Sequence, residues 1–275
     1  MKTTNLPALQ AAVFDMDGTL LNTKGELPLQ FFPLLKALWA KGILFVAASG
    51  RQYHNLLLHF GHVKDKIALL CENGAMVVDC GKRLFLNCIP PDALAEPIQK
   101  IRAIPGAFPV LCGADSAYTE QDDPELYRNA KQYYERLTIV PDLLDAAQRD
   151  SILKIAVYDK QPAQNSSYPV LLPFSGPFLV SLSGEHWVDL MAPGTNKGTA
   201  LRALQRAHGL TETDCMAFGD YLNDCEMMQT CYYSYAMQNA HPMLKQVSRF
   251  EAPSNDENGV VRTICERLSL EQKLP

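Results

Sequence analysis

One short stretch, Val13 to Leu21, constrains the fold of this chain most, because a strongly apolar run ends there in acidic residues. Residues 11 to 14 are continuously apolar, as expected of a parallel strand that is covered on both faces. Ligands of open α/β sheets bind at the carboxyl ends of such strands. We therefore expect Asp15 and Asp17 at the binding edge of a sheet, with Gly18 turning the chain.

The two carboxylates can serve one site, since alternate side chains of an extended chain point to the same side. Asp and Gly are also ordinary turn formers, so a plain turn between strand and loop is the alternative for Asp15 and Asp17. The choice between the two depends on what else reaches the same edge.

Three further segments place polar residues where apolar strands end or helices begin. A second strand, Ile43 to Ala48, is followed by Ser49, Gly50 and Arg51. A helix is predicted from Lys197 to His208, and a strand over residues 215–218 precedes a turn. Strands and helices that alternate with short connections predict right-handed βαβ winding on a parallel sheet. The residues of that last turn expected on the same edge as Asp15 are Asp220, Asn223 and Asp224.

The pattern changes near Pro90 to helices that alternate with antiparallel strands, with a helix predicted over residues 124–137. We expect an α/β protein with a doubly wound, Rossmann-like parallel sheet and an inserted α+β cap domain. The sheet would use residues 1–83 and 187–275, resuming near Trp187 to Met191, and the cap would span 84–186. A chain of 275 residues is long enough for two domains.

Composition excludes several classes of function. A net charge of −5 and a pI near 5.7 provide no basic field for nucleic acid or for an anionic membrane. No apolar run approaches the length of a membrane span, and the start of the chain does not fit a signal peptide. The eight cysteines include no Cys-x-x-Cys pair, which favours free thiols. We expect a cytoplasmic protein with no nucleic-acid, membrane or obligatory protein partner.

The four polar segments together have the composition that phosphoryl transfer requires. That reaction depends on positioning and on neutralising oxygen charge, with a divalent cation on hard oxygen ligands. Taken singly, Lys197 could be a solvated lysine at a helix start and Asp220 a turn residue. Carboxylates about 4 Å apart repel by roughly 4 kcal/mol at an effective dielectric near 20. A cluster of acids therefore predicts compensation by Mg²⁺ and Lys197.

The four motifs, in this order, resemble the haloacid dehalogenase superfamily, and the position of the insert resembles its Cof-type phosphatases. Three runs are similar to bacterial sugar phosphatases of that group, namely Ala48 to Tyr53, Glu72 to Ala75 and Cys112 to Tyr118. The resemblance covers essentially the whole chain. It implies a Mg²⁺-dependent phosphatase that acts on a small phosphorylated metabolite.

The resemblance also implies a role for each motif residue. Asp15 would be the nucleophile and a metal ligand, and Asp17 the general acid and base, with its backbone carbonyl on the metal. Asp220 would complete the metal site, and Thr19 and Asp224 would support it. The phosphoryl oxygens would be held by Met16, Ser49, Gly50, Lys197 and Asn223.

Asp17 narrows the reaction class, because the dehalogenases and transport ATPases of the superfamily lack an acid at this position. A phosphomutase of the phosphomannomutase type shares this kind of insert and is the alternative enzyme. A catalytically silent regulator that binds phosphosugars is the alternative outside enzymes. The residues expected to contact substrate are Arg51, Asn73, Gly113 and Tyr118. Pairing with a carboxylate is the alternative for Arg51, and an ordinary turn is the alternative for the segment from Gly113 to Tyr118.

Overall fold

Apolar runs of the chain form the strands of two sheets in the computed structural model of the protein, which describes residues 9–270. Residues 1–8 lie outside the described residues. They belong to the start of the chain, where we expect no signal peptide. In chain order the strands are β1 (Ala11–Asp15), β2 (Leu44–Ala48), β3 (Ala68–Cys71), β4 (Met76–Asp79), β5 (Lys82–Leu86), β6 (Ala107–Gly113), β7 (Ala117–Thr119), β8 (Leu137–Ile139), β9 (Ile152–Asp159), β10 (Leu179–Gly184), β11 (Trp187–Met191), β12 (Cys215–Gly219), β13 (Tyr233–Met237) and β14 (Phe250–Ala252).

Helices connect most of these strands. Across residues 9–270, no helix combines the length and the apolarity that a membrane crossing needs. In chain order the helices are α1 (Phe31–Ala40), α2 (Tyr53–Phe60), α3 (Ala95–Arg102), α4 (Pro124–Ala130), α5 (Leu143–Ala147), α6 (Ser167–Leu171), α7 (Lys197–His208), α8 (Cys225–Gln229), α9 (Pro242–Val247) and α10 (Gly259–Leu268).

The first sheet has eight strands in the order β14-β13-β12-β1-β2-β3-β4-β5. The six strands from β14 to β3 in that order are all parallel, whereas β4 runs antiparallel to β3. The strand order reverses beside β1, which lies between β2 and β12, and such a switch point is where open α/β sheets bind ligands. The predicted α/β fold class is confirmed.

A row of aromatic rings crosses four strands of this sheet. Phe14, Phe218, Tyr235 and Phe250 occupy directly paired positions on β1, β12, β13 and β14. Successive ring centroids are 5.6, 5.0 and 5.1 Å apart, and the rings are stacked. Since side chains paired across strands are the unit of sheet stabilisation, the row fixes the register of β1 against β12. That register brings the carboxyl ends of the two strands level.

The second sheet has six strands in the order β10-β11-β9-β6-β7-β8, and its neighbours are antiparallel except for β7 and β8. Alternate residues of its strands face two apolar clusters, as the period of two requires. One cluster includes Leu111 and Ile155 with residues of α3, α5 and α6. The other includes Val110 and Ala156 with residues of α4. Helices therefore cover both faces of this sheet.

The chain divides into two compact units. The first takes in Met1–Ser49, Val63–Leu84 and Asn196–Pro275, and the second takes in Gly50–His62 and Phe85–Thr195. Our expectation that Trp187 to Met191 returns to the first sheet is wrong. This segment is β11, which pairs antiparallel with β9 and β10, because both of its edges find partners in the second sheet.

The predicted helix over residues 124–137 is too long. Helix α4 starts at Pro124, where the side chain of Asp123 caps it, but it ends at Ala130. Leu137–Ile139 instead forms β8, parallel to β7. Pairing with an exposed strand edge overrides the weak helical preference of this segment.

Replacing Phe218 with Ala should destabilise the protein strongly, because the ring is fully buried and stacks on rings of both neighbouring strands. Removing a buried Phe side chain costs about 3–5 kcal/mol of unfolding free energy. Urea denaturation measures this loss. Leu29→Ala is the matched control, since Leu29 is 92% exposed and should change nothing measurable. A loss at Phe218 below about 1 kcal/mol, the size of an ordinary substitution, would contradict the proposed importance of the row.

Candidate active site

The segment after β1 makes a tight turn at the carboxyl edge of the first sheet. Asp15 ends the strand, and Gly18 has φ of +77°, a conformation that glycine adopts without strain. A Cβ at Gly18 would lie 2.3 Å from Oδ2 of Asp220, so only glycine lets Asp220 approach. The hydroxyl of Thr19 donates to Oδ1 of Asp220 at 3.1 Å. The ends of β1 and β12 are thus joined directly through side chains.

Lys197 is the cationic centre of this edge. It is the first residue of α7, whose start is capped by the side chain of Asn196 accepting from Thr199 N–H at 2.7 Å. Its ammonium is fully buried and binds Oδ1 of Asp15 and, at 2.6 Å, Oδ1 of Asp224. One lysine therefore links the end of β1, the turn after β12 and the start of α7.

Asp224 also shapes the turn after β12. Its Oδ2 accepts the backbone N–H groups of Asp220 at 3.0 Å and of Tyr221 at 3.2 Å. A fully buried carboxylate needs such donors, because burying an ionised group without partners is costly. Asp224 thus binds Lys197 with one oxygen and holds Asp220 in place with the other.

Burial and charge act against each other on the pKa values of this group. Burial alone would lower the pKa of Lys197, but Asp15 and Asp224 raise it above its usual value, so the ammonium stays charged. Burial raises the pKa of Asp15 well above its usual range; Lys197 opposes this shift, while Asp224 and Asp220 add to it. Burial and the charge of Asp224 raise the pKa of Asp220 to about 6. The pKa values of Asp15 and Asp220 are therefore raised although Lys197 opposes both shifts.

Three carboxylates are placed so that they fit a metal ion. Asp15, Asp220 and Asp224 each offer one oxygen, and these oxygens lie within 4.8 Å of one another. Hard oxygen ligands of this kind suit Mg²⁺. The exposed side chain of Asp17 is outside this group, and Asp224, predicted only to support the site, is inside it.

Three polar residues predicted for phosphate or substrate lie along the same edge. Ser49 is buried and follows β2 directly. Its carbonyl accepts the N–H of Asn73 at 3.0 Å, and the side-chain oxygen of Asn73 accepts from Nδ2 of Asn223 at 3.1 Å. Met16, the remaining phosphate-binding candidate of this unit, is buried next to Asp15.

Comparison with known proteins fits this geometry. A family model described as haloacid dehalogenase-like hydrolase matches residues 12–264. The chain belongs to this family. Among its relatives, the 5-amino-6-(5-phospho-D-ribitylamino)uracil phosphatase YbjI of Escherichia coli is 32% identical over 260 residues, which cover 94% of this chain and 95% of that protein.

A second relative is the HMP-PP phosphatase of Cronobacter sakazakii, 29% identical over 247 residues that cover 84% of this chain and 85% of that protein. Among solved structures, SMU.1108c of Streptococcus mutans has a TM-score of 0.81 and 28% identity, over 95% of this chain and all of that one. The resemblance drawn from the motifs is therefore confirmed. Its family is one of hydrolases and both of these relatives are named phosphatases, so the chain is an enzyme of the phosphoric monoester hydrolase class.

Two residues of the motif after β2 belong to the second unit of this hydrolase. Gly50 and Arg51 group with that unit, and Nη1 of Arg51 donates to the side-chain oxygen of Asn55 at 3.1 Å. Arg51 is thus positioned by a residue one turn along α2. Its contact with substrate stays a prediction, as does the role of Gly50.

Gly113 and Tyr118 surround the carboxylate of Asp150, within the second unit. Oδ2 of Asp150 accepts from the Tyr118 hydroxyl at 3.0 Å and from the N–H of Asp115 at 2.9 Å. A Cβ at Gly113 would lie 2.1 Å from the same oxygen. Burial, with Asp150 adding to it, raises the pKa of Tyr118 to about 12. These contacts give both residues a structural role in this loop, and their contact with substrate stays a prediction.

Sequence reasoning missed two residues that contact the site from the loop after β13. The backbone N–H of His241 donates to the carbonyl of Asp220 at 2.8 Å, and Nδ2 of Asn239 donates to the carbonyl of Gly18 at 2.8 Å. Neither residue belongs to a strand-end motif. A polar loop after the fifth parallel strand, β13, was the signal available.

Lys197→Met should lower the unfolding free energy by about 3–5 kcal/mol, the cost of breaking a buried ion pair, because two buried carboxylates lose their cation. Denaturation in the presence of a chelator measures it, with Lys41→Met, at an exposed position, as control. The loss should shrink from neutral to mildly acidic pH. Carboxyl groups whose folded-state pKa is raised take up protons as pH falls, and a neutral carboxyl needs no counter-charge. An equal loss at both pH values would contradict this electrostatic explanation.

Proposed function

We propose that this chain is a Mg²⁺-dependent phosphatase that hydrolyses small phosphorylated metabolites, sugar phosphates in particular, through an aspartyl-phosphate at Asp15. The observation that carries the proposal is the buried cluster in which Lys197 binds Asp15 and Asp224 while Asp220 lies within ligand distance of both. Such a cluster combines a nucleophile, a fixed cation and a candidate metal site at one sheet edge. Phosphoryl transfer needs these parts together.

Asp15 acts first in the proposed reaction. One of its carboxylate oxygens attacks phosphorus, and the bond from phosphorus to the ester oxygen breaks. Lys197 orients that carboxylate through Oδ1 and favours its ionised form, which is the nucleophilic form. Asp17, whose side chain is exposed, donates its proton to the departing oxygen.

In the second step Asp17 acts as a base instead of an acid. As a carboxylate, it accepts a proton from water, and the oxygen of that water attacks the phosphorus of the aspartyl-phosphate. Phosphate leaves, and Asp15 and protonated Asp17 are regenerated. Ser49, Lys197 and Asn223 are assigned to the phosphoryl oxygens, because all three are polar donors of the first unit that follow a strand or begin a helix at this edge.

A bound Mg²⁺ supplies neutralisation of the charge on the phosphoryl oxygens. The residues assigned to hold it are Asp15, Asp220 and the backbone carbonyl of Asp17. Asp224, the third carboxylate near the site, is already engaged by Lys197 and by two backbone donors. We therefore assign it to positioning Lys197 and Asp220.

The names of the relatives support a small phosphorylated substrate. The Escherichia coli relative is named for a phosphorylated ribitylamino compound and the Cronobacter relative for HMP-PP. A phosphorylated ribityl chain is a sugar-alcohol phosphate, so sugar phosphates and their reduced forms are the first compounds to screen. We assign recognition of the leaving group to the second unit.

Chelation should abolish turnover, and added Mg²⁺ should restore it. Ca²⁺, which prefers longer bonds and a looser coordination geometry, should fail to restore it. Phosphate release from a panel of sugar phosphates measures this. Chelator saturated with Mg²⁺ beforehand is the control for direct effects of the chelator. Full turnover in excess free chelator would refute the metal requirement.

The two acids of the first motif should fail in different ways. Asp15→Asn removes the nucleophile and should lower kcat by at least about 10⁴-fold. Asp17→Asn should still attack an activated aryl phosphate, whose leaving group needs no proton, and then stall, because no base activates water. A stoichiometric burst of aryl alcohol without turnover, with phosphate retained on the protein, is the expected signature.

The same assay separates the proposal from other functions. A phosphomutase would return the phosphoryl group to the sugar and release isomerised product with little free phosphate. A silent binding protein would give neither burst nor phosphate. Wild-type hydrolysis by the Asp15→Asn variant would refute the mechanism.

A further inference from the structure

Two asparagines from far along the chain bind the backbone of the turn that carries Asp17. Nδ2 of Asn239 donates to the carbonyl of Gly18 at 2.8 Å, and Nδ2 of Asn255 donates to the carbonyl of Leu21 at 2.9 Å. They follow their acceptors by 221 and 234 residues. Both carbonyls therefore depend on the C-terminal part of the first unit.

The two asparagines are also joined to each other. The backbone N–H of Asn255 donates to Oδ1 of Asn239 at 3.2 Å. This completes a continuous hydrogen-bonded bridge from Gly18, through Asn239 and Asn255, to Leu21. Asp17 and Leu21 are themselves paired as an isolated β-bridge, so the bridge spans the whole turn.

Asn255 belongs to a turn that is itself well ordered by hydrogen bonds. The carbonyl of Ser254 accepts from the N–H groups of Glu257 and Gly259, each at 3.0 Å, and the carbonyl of Asn255 accepts from Asn258 at 3.1 Å. Asn255 is 5% exposed. A donor held on a rigid, buried element fixes its acceptor more closely than a mobile surface side chain does.

The turn needs such support because of its own composition. Gly18 alone would give the backbone next to Asp17 wide conformational freedom, and the Asp17 side chain is exposed. Thr19 is already fixed by Asp220. The bridge restrains the carbonyl of Gly18, the residue after Asp17. It thereby restrains the direction of the Asp17 carboxyl group.

We infer that Asn239 and Asn255 are positioning residues that aim Asp17 at the leaving-group oxygen. The inference rests on the proposed function, in which Asp17 donates a proton to that oxygen as its bond to phosphorus breaks. Misplacing a general acid harms a reaction in proportion to how much the leaving group needs the proton. A role limited to folding would harm all substrates alike.

The test compares two leaving groups in the Asn239→Ala variant, which removes both bonds of an exposed side chain. On a sugar phosphate, whose alkoxide leaves poorly, the burst rate, which reports the attack step alone, should fall about tenfold more than on 4-nitrophenyl phosphate, a part of the 10²- to 10⁴-fold that general acids contribute. KM and the melting temperature should stay as in the wild type. Asn255→Ala should show the same preference. Asn165→Ala, at an exposed position that ends a short 3-10 helix of the second unit, is the matched control and should change neither rate.

The Asp17→Asn variant shows which proposal a negative result affects. Its burst rates on the same two substrates should differ far more than those of the wild type, because the acid is absent. In one outcome, Asp17→Asn discriminates between the two substrates, while Asn239→Ala lowers both rates equally or lowers neither. The positioning role is then overturned and the proposed function stands. Where Asp17→Asn does not discriminate, the acid role of Asp17 in the proposed function is overturned, and the positioning role with it.

Discussion

The buried ammonium of Lys197 is the interaction on which the rest of the site depends. It lies between Asp15 and Asp224, and each of these carboxylates ends or follows a different parallel strand. A buried lysine is stable only with such partners, and the partners are stable only with it. The end of β1, the turn after β12 and the start of α7 are therefore positioned as one unit. Asp224 extends this unit to Asp220 through two backbone donors.

Local signals were sufficient for the elements that carry the site. The helix predicted from Lys197 to His208 has those bounds, because an Asn cap precedes it and Gly209, in the left-handed conformation, follows it. The apolar runs before Asp15, Ser49 and Asp220 became neighbouring parallel strands. Both kinds of signal lie within a few residues of the element they specify.

Partners that are distant in sequence were beyond such reasoning. Trp187–Met191 is apolar enough for either sheet, and only the edges of β9 and β10 decide where it pairs. Leu137–Ile139 is a strand because β7 offers it an edge. Asn239 and Asn255 look like loop residues in the sequence, and their contacts with Gly18 and Leu21 depend on how two distant loops pack. The carboxylate of Asp150 likewise explains Gly113 and Tyr118 only once the second sheet is formed.

The separation of Asp15 and Lys197 by 182 residues has a consequence for synthesis of the chain. As the polypeptide leaves the ribosome, β1 is complete long before α7 and β12 exist. Until then Asp15 has no cation, and Phe14 has no ring beside it on the edge where β12 will pair. Pairing that waits for distant segments is slow and leaves strand edges exposed meanwhile. The edge of β1 that pairs with β12 therefore stays open until most of the chain is made, whereas the strands of the second sheet, from Ala107 to Met191, emerge close together and can pair as soon as they are made.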